Sequence, residues 1–466
     1  MLETISIIIF TLLFLFLAWK KLDWAIYLTI VFLPIYLLRF QVWFVPMTFL
    51  EVMVLVVFVV WLIKTISRGI KASATQQGVV AHLRGVWFPW KWPALLFILA
   101  GVVAVLISPD IRGALGLWKA YILEPILFFI VFVNTIKTEK QIKAVILALG
   151  ASAVLIGFGA LIQYIGLAPI PSPYGTQHPV RATSIYPFPT AVGKYVGPLV
   201  ALFLGLWLAK KKKPEQRIHP DLQFWLPSFN FGKYFLPGVI LFGLLGLILS
   251  FSRGALIGVF AALIFVSFFS RWKKWLWLGI VLLIILGLIV PFTRHEIISV
   301  FNVKDTSADV HVVMWKGAIR IIKANPIAGT GLASFPIVYE KYKEASHVEF
   351  FPNPDHLILT LWIEMGLAGL VVFGWLMAKF FRAGVSLLKS LQTTDYRLPL
   401  VIGLMAAMIA ILVHGFFDTP YFKNDLAVEF WVLVGLMIAI KGSMRLERAK
   451  REEGEKAVVI GVDKGY

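Results

Sequence analysis

Apolar runs long enough to cross a bilayer recur along this chain and constrain its fold more than any other feature. A membrane span needs roughly 20 mostly apolar residues. Hydrophobic residues make up 59% of the 466 and charged residues only 15%, too few to cover a soluble protein of this length. The sequence predicts an all-α polytopic membrane protein with about 12–13 transmembrane helices, one of the first three being re-entrant or interfacial if there are twelve. The predicted spans are about 5–19, 22–38, 47–63, 93–107, 118–136, 144–165, 186–208, 235–250, 254–270, 275–292, 357–378, 399–416 and 426–440.

Basic residues alternate between the two sides of the predicted bundle. About 30 of the 44 lysines and arginines fall on one side, in short loops such as Lys210–Lys213 and in the segment after Lys441. Cytoplasmic loops carry this excess in membrane proteins, and it also accounts for the formal net charge of +19. We therefore expect a cytoplasmic C-terminus, and thirteen spans put the N-terminus outside. The first apolar run lacks a basic start and a small-residue cleavage site, so we expect it to remain as a span.

One long segment, about 293–355, lies on the outer side. Within it, Val310–Lys323 has apolar residues at helical spacing, and Asn325-Pro326 ends the pattern. We expect an external loop with short helices, lying on the membrane surface or forming a lid over a site. The chain then divides into a single multi-span membrane domain, 1–440, and a charged cytoplasmic tail, 441–466, which we expect to be loose.

Absent residue types and motifs exclude several function classes. The chain has no cysteine, which removes disulfides, thiolate metal sites and a cysteine nucleophile. No basic run is interleaved with aromatic residues as a nucleic-acid stacking platform requires. The histidines lack zinc-ligand spacing. We expect no metal, no cofactor and no nucleic-acid partner.

Two arginines on the predicted outer side are candidates for binding an anion. Arg253 lies in the tight turn 251–255 between two spans, and Gly254 after it allows a close backbone approach at a helix start. A guanidinium suits a phosphate, and a second one nearby, from Arg181, suits a pyrophosphate. Both also have a structural interpretation: Arg253 reaching the lipid headgroups or pairing with an acid, and Arg181 as an ordinary solvated side chain.

Acid–base residues fall on the same side, although the span assignment did not require it. His356 begins the span after the long loop and is a candidate general base or hydrogen-bond donor. The structural alternative is that His356 only caps the helix that follows it. Asp355 precedes it and could orient its ring. Asp418 and His414, at the outer end of the twelfth span, are further candidate site residues.

Charged residues also occur inside the predicted spans. Glu124 is followed by Pro125, whose missing N–H loosens the helix locally. An acid within a membrane is either functional or half of an ion pair with a buried basic residue. Lys194, in the seventh span, is such a partner or a further phosphate ligand, and Glu364 is a weaker case of the same kind.

At these residues the chain resembles the O-antigen ligase and polymerase superfamily, which are membrane glycan transferases of bacteria. The resemblance covers roughly residues 180–440, and the order and spacing of short stretches around one large external loop carry it. The stretches are Ser252-Arg253-Gly254-Ala255, Asn325-Pro326 to Gly329-Thr330-Gly331, Asp355-His356-Leu357 running into Glu364-Met365-Gly366-Leu367-Ala368-Gly369, and His414-Gly415-Phe416-Phe417-Asp418.

The resemblance implies transfer of a glycan from undecaprenyl pyrophosphate to an acceptor, at the outer face of the bacterial inner membrane and without a metal ion. The implied partners are a lipid-linked glycan donor, a glycan or lipid acceptor and membrane lipids. The family's functional arginines correspond to Arg181 and Arg253, and its histidine to His356. Lys194 is a possible additional ligand of the pyrophosphate.

The sequence departs from the family pattern at two positions. Leu357 stands where an Asn commonly follows the histidine, and His311 stands where an Arg often precedes Trp315. These departures concern the acceptor side of the implied site more than the pyrophosphate side.

The mechanism implied is an inverting attack by an acceptor hydroxyl, oriented or deprotonated by His356 with help from Asp355. Three other interpretations stay open. The first is a polymerase of the same superfamily, whose acceptor is another lipid-linked repeat. The second is a transporter of a small anion or sugar, which the charged residues Glu124, Lys194 and Glu364 favour, although such proteins place polar groups near the midplane of two matching halves. The third is a structural or scaffolding membrane protein.

Overall fold

The computed structural model describes residues 2–42, 45–72, 86–209, 231–289, 306–344, 351–392, 395 and 397–462. This described part is almost entirely helical, which confirms the all-α expectation, and seven of its helices are long and apolar enough to cross a membrane. Its elements are α1 (Leu2–Lys20), α2 (Leu22–Val31), a 3-10 turn (Leu33–Leu37), β1 (Arg39–Val42), β2 (Val45–Thr48), α3 (Phe49–Ala72), α4 (Lys91–Leu106), α5 (Ile111–Trp118), a π turn (Lys119–Leu123), α6 (Glu124–Thr135), α7 (Glu139–Tyr164), α8 (Pro189–Leu208), α9 (Phe231–Ser250), α10 (Arg253–Phe269), α11 (Lys273–Ile289), α12 (Thr306–Ala324), α13 (Phe335–Tyr339), α14 (Leu357–Ser390), α15 (Arg397–His414) and α16 (Asn424–Val462).

Each predicted span coincides with a helix, but the second is shorter than expected. Helix α2 ends at Val31, and a 3-10 turn follows whose first residues include Pro34. Proline has no backbone N–H to continue an α-helix, and the chain leaves the helical path. It then forms the antiparallel pair β1–β2, with Arg39 opposite Thr48 and Val42 opposite Val45. The 22–38 segment is therefore a short helix and a turn rather than a full span.

Helix α8 lies at the centre of the bundle. It packs against α7, α9, α10 and α15, and most of its side chains are buried. Small residues let the helices approach closely, as is typical where lipid gives no hydrophobic drive for association. A Cβ on Gly205 of α8 would lie 2.3 Å from the Cα of Gly403 in α15. The charged residue of α8, Lys194, is thereby surrounded by protein.

The segment between α11 and α14 contains two helices: α12, which includes the predicted helix 310–323, and the short α13. Helix α12 ends at Ala324, directly before Asn325-Pro326, which confirms the predicted helix and its stop. One face of α12 forms a small hydrophobic core with α13 and with Ile363 of α14. The buried residues of this core are Met314, Ala318, Ile321, Ile322, Phe335, Tyr339 and Ile363. The segment thus docks on the beginning of α14.

A break in α14 fastens this docking. Gly366 has a φ of +67°, outside helical geometry, which releases backbone groups on both sides of it. The N–H of Thr330 donates to the Ile363 carbonyl at 2.6 Å, and the N–H of Leu367 donates to the Ile327 carbonyl at 2.9 Å. The loop after α12 therefore takes up hydrogen-bonding groups that an unbroken helix would have used itself.

The charged tail differs from the expectation. Helix α16 runs without interruption from Asn424 to Val462, through most of the segment expected to be loose. The Nη1 of Arg397, at the start of α15, donates to Glu447 at 2.9 Å. The expectation of a loose tail is therefore wrong up to Val462, because a helix that starts in the bundle continues beyond it.

Candidate functional site

Arg253 starts helix α10 at a sharp turn that rests on the end of α15. Phe251, with a φ of +50°, makes the turn between α9 and α10. Gly254 follows Arg253, and a Cβ at this glycine would lie 2.8 Å from the Cδ2 of His414. A side chain would clash there, so glycine is required for the start of α10 to contact His414. This places the free N–H groups of a helix start beside the predicted acid–base residues.

Arg181 is held on the same turn. Its Nε donates to the Ser250 carbonyl at 3.3 Å and its Nη2 to the Phe251 carbonyl at 3.5 Å. The pKa of Arg181 is lowered, first by burial and then by the charge of Arg253, while Tyr174 acts in the opposite direction. The two guanidinium groups are thus close enough to repel each other, and an anion bound between them would relieve the repulsion.

Lys194, Asp418 and His414 form a buried cluster beside this turn. The Nζ of Lys194 lies 2.9 Å from the Oδ1 of Asp418, and the Nε2 of His414 lies 3.9 Å from its Oδ2. Burial alone would raise the pKa of Asp418, but Lys194, His414 and the Thr419 N–H lower it below its usual value. Lys194 therefore has an acidic partner, as one of its two predicted roles required, and the partner is Asp418 rather than Glu124.

His356 caps helix α14 beneath helix α12. Its Nδ1 accepts a hydrogen bond from the Leu359 N–H at 3.4 Å. Its ring makes edge-to-face contacts with Trp315 and Phe416, each with centroids 5.5 Å apart. The Nε1 of Trp315 in turn donates to the Pro354 carbonyl at 3.0 Å. Burial lowers the pKa of His356, so its imidazole is neutral at pH 7.

Asp355, next to His356, adopts a backbone conformation that is rare outside glycine. Its φ is +43°, and its N–H donates to the Oδ1 of Asn353 at 2.9 Å. The pKa of its carboxyl is raised to about 7, first by burial and then by the charge of Asp418, with Lys194 opposing. The strained loop thus presents a carboxyl group that exchanges its proton near neutral pH.

Glu124 lies in a different group of residues. It follows the π turn Lys119–Leu123, where the helix departs from α geometry as Pro125 predicted. The charges that act on it are Glu51 and Lys119, which pair at 3.0 Å. Its Oε1 is buried and has no hydrogen-bond partner among the described residues. The structure does not bring Glu124 to the arginines, and a role for it in the site stays a prediction.

Lys423, whose Nζ is buried, is a cation that the sequence alone does not single out. Its Nζ lies 4.4 Å from the centroid of Phe188, with Tyr186 and Tyr36 also facing it, and it has no hydrogen-bond partner in the described part of the chain. Burial lowers its pKa to about 8, although Asp425 acts against this. The one sequence signal for Lys423 is that it lies in the same short loop as Asp418. The surrounding aromatic rings come from distant segments, which the sequence alone did not connect.

Comparison with known families supports the resemblance drawn from the motifs. The sequence profile of the O-antigen ligase family matches residues 238–374. Over this stretch the chain is similar to the O-antigen ligase family. None of the curated proteins matches the sequence. The matched O-antigen ligase segment contains the Arg253 turn, helix α12, Asp355 and His356, and the break at Gly366. Arg181, Lys194, His414 and Asp418 lie outside it, and the fold brings them to it.

The two departures from the family pattern have structural explanations. Leu357 is 2% exposed, and it packs against Gly415, whose carbonyl accepts the Leu357 N–H at 2.7 Å. An apolar side chain fills that space. His311 contacts Trp315 with ring centroids 6.0 Å apart, and its pKa is lowered by burial and raised by Asp418. His311 is therefore a neutral residue at the edge of the site, where the family often has a charged one.

Proposed function

We propose that the protein is a membrane glycan transferase that moves a glycan from a polyprenyl pyrophosphate carrier to an acceptor hydroxyl. The reaction is placed on the non-cytoplasmic side of a bacterial inner membrane, because the short loops on the opposite side hold the excess of lysine and arginine. The family profile supports a glycan transferase of the O-antigen ligase or polymerase type. The donor, the side of the membrane and the mechanism belong to the proposal.

The observation that carries the proposal is the turn shared by two arginines. Arg181 is hydrogen-bonded to the carbonyl groups just before Arg253, and Arg253 begins a helix. Two guanidinium groups and a helix start together suit the two charged phosphates of a pyrophosphate. In the proposed reaction they stabilise the negative charge that grows on the leaving pyrophosphate as the sugar–phosphate bond breaks.

The acceptor is proposed to enter from the side of His356 and Asp355. Its hydroxyl attacks the anomeric carbon opposite the leaving group, which inverts that centre. His356 and Asp355 orient the hydroxyl, and one of the two removes its proton. The charge stabilisation comes from the arginines and the helix start, so the scheme needs no metal ion. Lys194, already paired with Asp418, supplies further positive charge next to the pyrophosphate.

The test is release of free polyprenyl pyrophosphate by purified protein in lipid, with a lipid-linked glycan donor, envelope acceptors and EDTA. We expect Arg253→Ala to lower the rate about 100- to 1,000-fold, as loss of one oxyanion ligand does. Arg320→Ala is the matched control, because Arg320 pairs with Glu344 on the exposed side of α12. Wild-type turnover by a folded Arg253→Ala protein would contradict the proposed clamp.

The same assay separates the alternatives left open by the sequence. A ladder of products indicates a polymerase, whereas a single transfer indicates a ligase. Uptake of a small anion or sugar into proteoliposomes, without any lipid-linked donor, would instead support a transporter. The Oε1 of Glu124, buried and without a hydrogen-bond partner among the described residues, is the observation that favours testing transport.

A further inference from the structure

The helix cap fixes which nitrogen of His356 carries the proton. A neutral imidazole has one donor and one acceptor nitrogen. Since Nδ1 accepts the Leu359 N–H, the ring proton lies on Nε2. In this tautomer Nε2 has no lone pair to receive a proton. His356 can therefore donate a hydrogen bond to a substrate through Nε2, but it cannot act there as a base.

The surroundings of His356 hold the ring in this orientation. Trp315 and Phe416 contact it edge-to-face, and Trp315 is itself anchored to the Pro354 carbonyl. A half-turn of the ring would place a carbon, in place of Nδ1, opposite the Leu359 N–H and leave that N–H without its acceptor. The capped tautomer is therefore the one that the packing favours.

The neighbouring carboxyl group is suited to the role that His356 cannot fill. Asp355 is half-buried, and no described residue donates a hydrogen bond to its carboxyl oxygens, whereas the Asp418 carboxyl is occupied by Lys194 and Thr419. Its positive φ and the hydrogen bond from its N–H to Asn353 fix the loop from which it projects. A carboxylate held this way has free lone pairs for a hydroxyl proton.

We propose that Asp355 is the catalytic base of the glycan transfer and that His356 is a hydrogen-bond donor to the substrate. This inference rests on the proposed function. The acceptor O–H proton passes to the Asp355 carboxylate while the hydroxyl oxygen forms a bond to the anomeric carbon. The bond from that carbon to the phosphate oxygen breaks, and the pyrophosphate leaves with the electron pair. Asp355 afterwards returns its proton to water.

Burial and the charges around Asp355 decide the pH at which it can act. Burial raises the pKa of Asp355 most, the charge of Asp418 raises it further, and the charge of Lys194, from α8, opposes them, which brings the pKa to about 7. His414, from α15, and His311, from α12, both interact with Asp418, and His356 lies on the same loop. The base form exists above this pKa. The rate should therefore fall about tenfold for each pH unit below about 7.

The experiment measures single-turnover rates from about pH 5 to 9 with saturating donor. We expect Asp355→Asn to lose at least about 100-fold in rate near pH 8. It should also lose the acid limb of the pH profile, which is the fall in rate below about pH 7. His356→Gln retains a donor near the Nε2 position, so it should keep the acid limb and more activity than Asp355→Asn. Asp355→Glu should recover part of the rate, and Glu340→Gln, on the exposed side of the external segment, is the matched control.

A further variant tests the same assignment without changing Asp355 itself. Asp418→Asn removes the negative charge that raises the pKa of Asp355, and the acid limb should then move to lower pH. An acid limb that persists in Asp355→Asn but disappears in His356→Gln would overturn the inference and restore His356 as the base. An acid limb that lies at the same pH in Asp418→Asn as in the wild type would also overturn the inference. Absence of transfer by the wild type would instead refute the proposed function.

Discussion

The buried pair Lys194–Asp418 can be tested by a double-mutant cycle. Both residues are less than 9% exposed, and their charged atoms lie 2.9 Å apart. Removing one partner leaves the other charge buried without compensation, which costs about 3–5 kcal/mol in other proteins. We therefore expect Lys194→Met and Asp418→Asn each to lower the free energy of unfolding by about that amount.

The double variant should recover most of that loss, because neither charge then remains. Replacing both partners of a buried pair is often close to neutral, so we expect a coupling energy of at least about 3 kcal/mol. Lys143–Glu139 is the control pair, at 2.8 Å but partly exposed and within one helix turn. Its coupling should not exceed about 0.5 kcal/mol. The free energies are measured by denaturant titration in mixed micelles.

The cycle also distinguishes the two predicted roles of Lys194. If Lys194 serves only as the partner of Asp418, the refolded double variant should bind donor with the wild-type KM. If it is a phosphate ligand as well, stability should return while the donor KM stays raised. Single variants that each cost less than about 1 kcal/mol would refute the argument from burial.

Two further predictions concern the backbone of α14 and the buried lysine. Gly366→Ala should lower the free energy of unfolding by about 2–4 kcal/mol, because φ is +67° and the new Cβ would lie 2.5 Å from the Ala328 carbonyl oxygen. Gly374→Ala is the control and should not lower it, because the space around its new Cβ is open. Lys423 has a pKa near 8 when folded and 10.5 as its ordinary value, so the folded state binds fewer protons between these limits and stability should rise with pH there. Lys423→Met should abolish that rise in pH-dependent thermal unfolding, and an unchanged slope would show that Lys423 is not its source.

The helices of this protein could be predicted from the sequence because each is a local property. Apolar runs bounded by basic residues predict where helices lie, and Asn325-Pro326 predicts where α12 ends. The sequence predicts the end of α2 too late, because apolarity alone defines the spans and Pro34 lies within an apolar run. The tail after Lys441 was expected to be loose because its charge gave no packing signal, and charge does not prevent a helix from continuing.

The site could be predicted in its residue types more than in its pairings. Placing Arg181, Arg253 and His356 on one side followed from loop charge alone. The pairing of Lys194 with Asp418 could not be derived, because the two are 224 positions apart and meet only when α8 packs against α15. The ring of aromatic residues around Lys423 depends on the same long-range packing.

The glycines that carried the family resemblance hold the loop after α12 against the bundle. Gly329 and Gly366 have positive φ, and a Cβ on Gly329 would lie 2.5 Å from the Ile363 carbonyl oxygen. Gly331 approaches Ser108 of the α4–α5 connection equally closely, and the Ser108 hydroxyl donates to the Leu332 carbonyl at 2.6 Å. These contacts fix the segment that contains α12 and α13 to the bundle on two sides. Trp315 belongs to that segment and positions the loop of Asp355 and His356, so the glycine motif and the acid–base residues depend on one docking geometry.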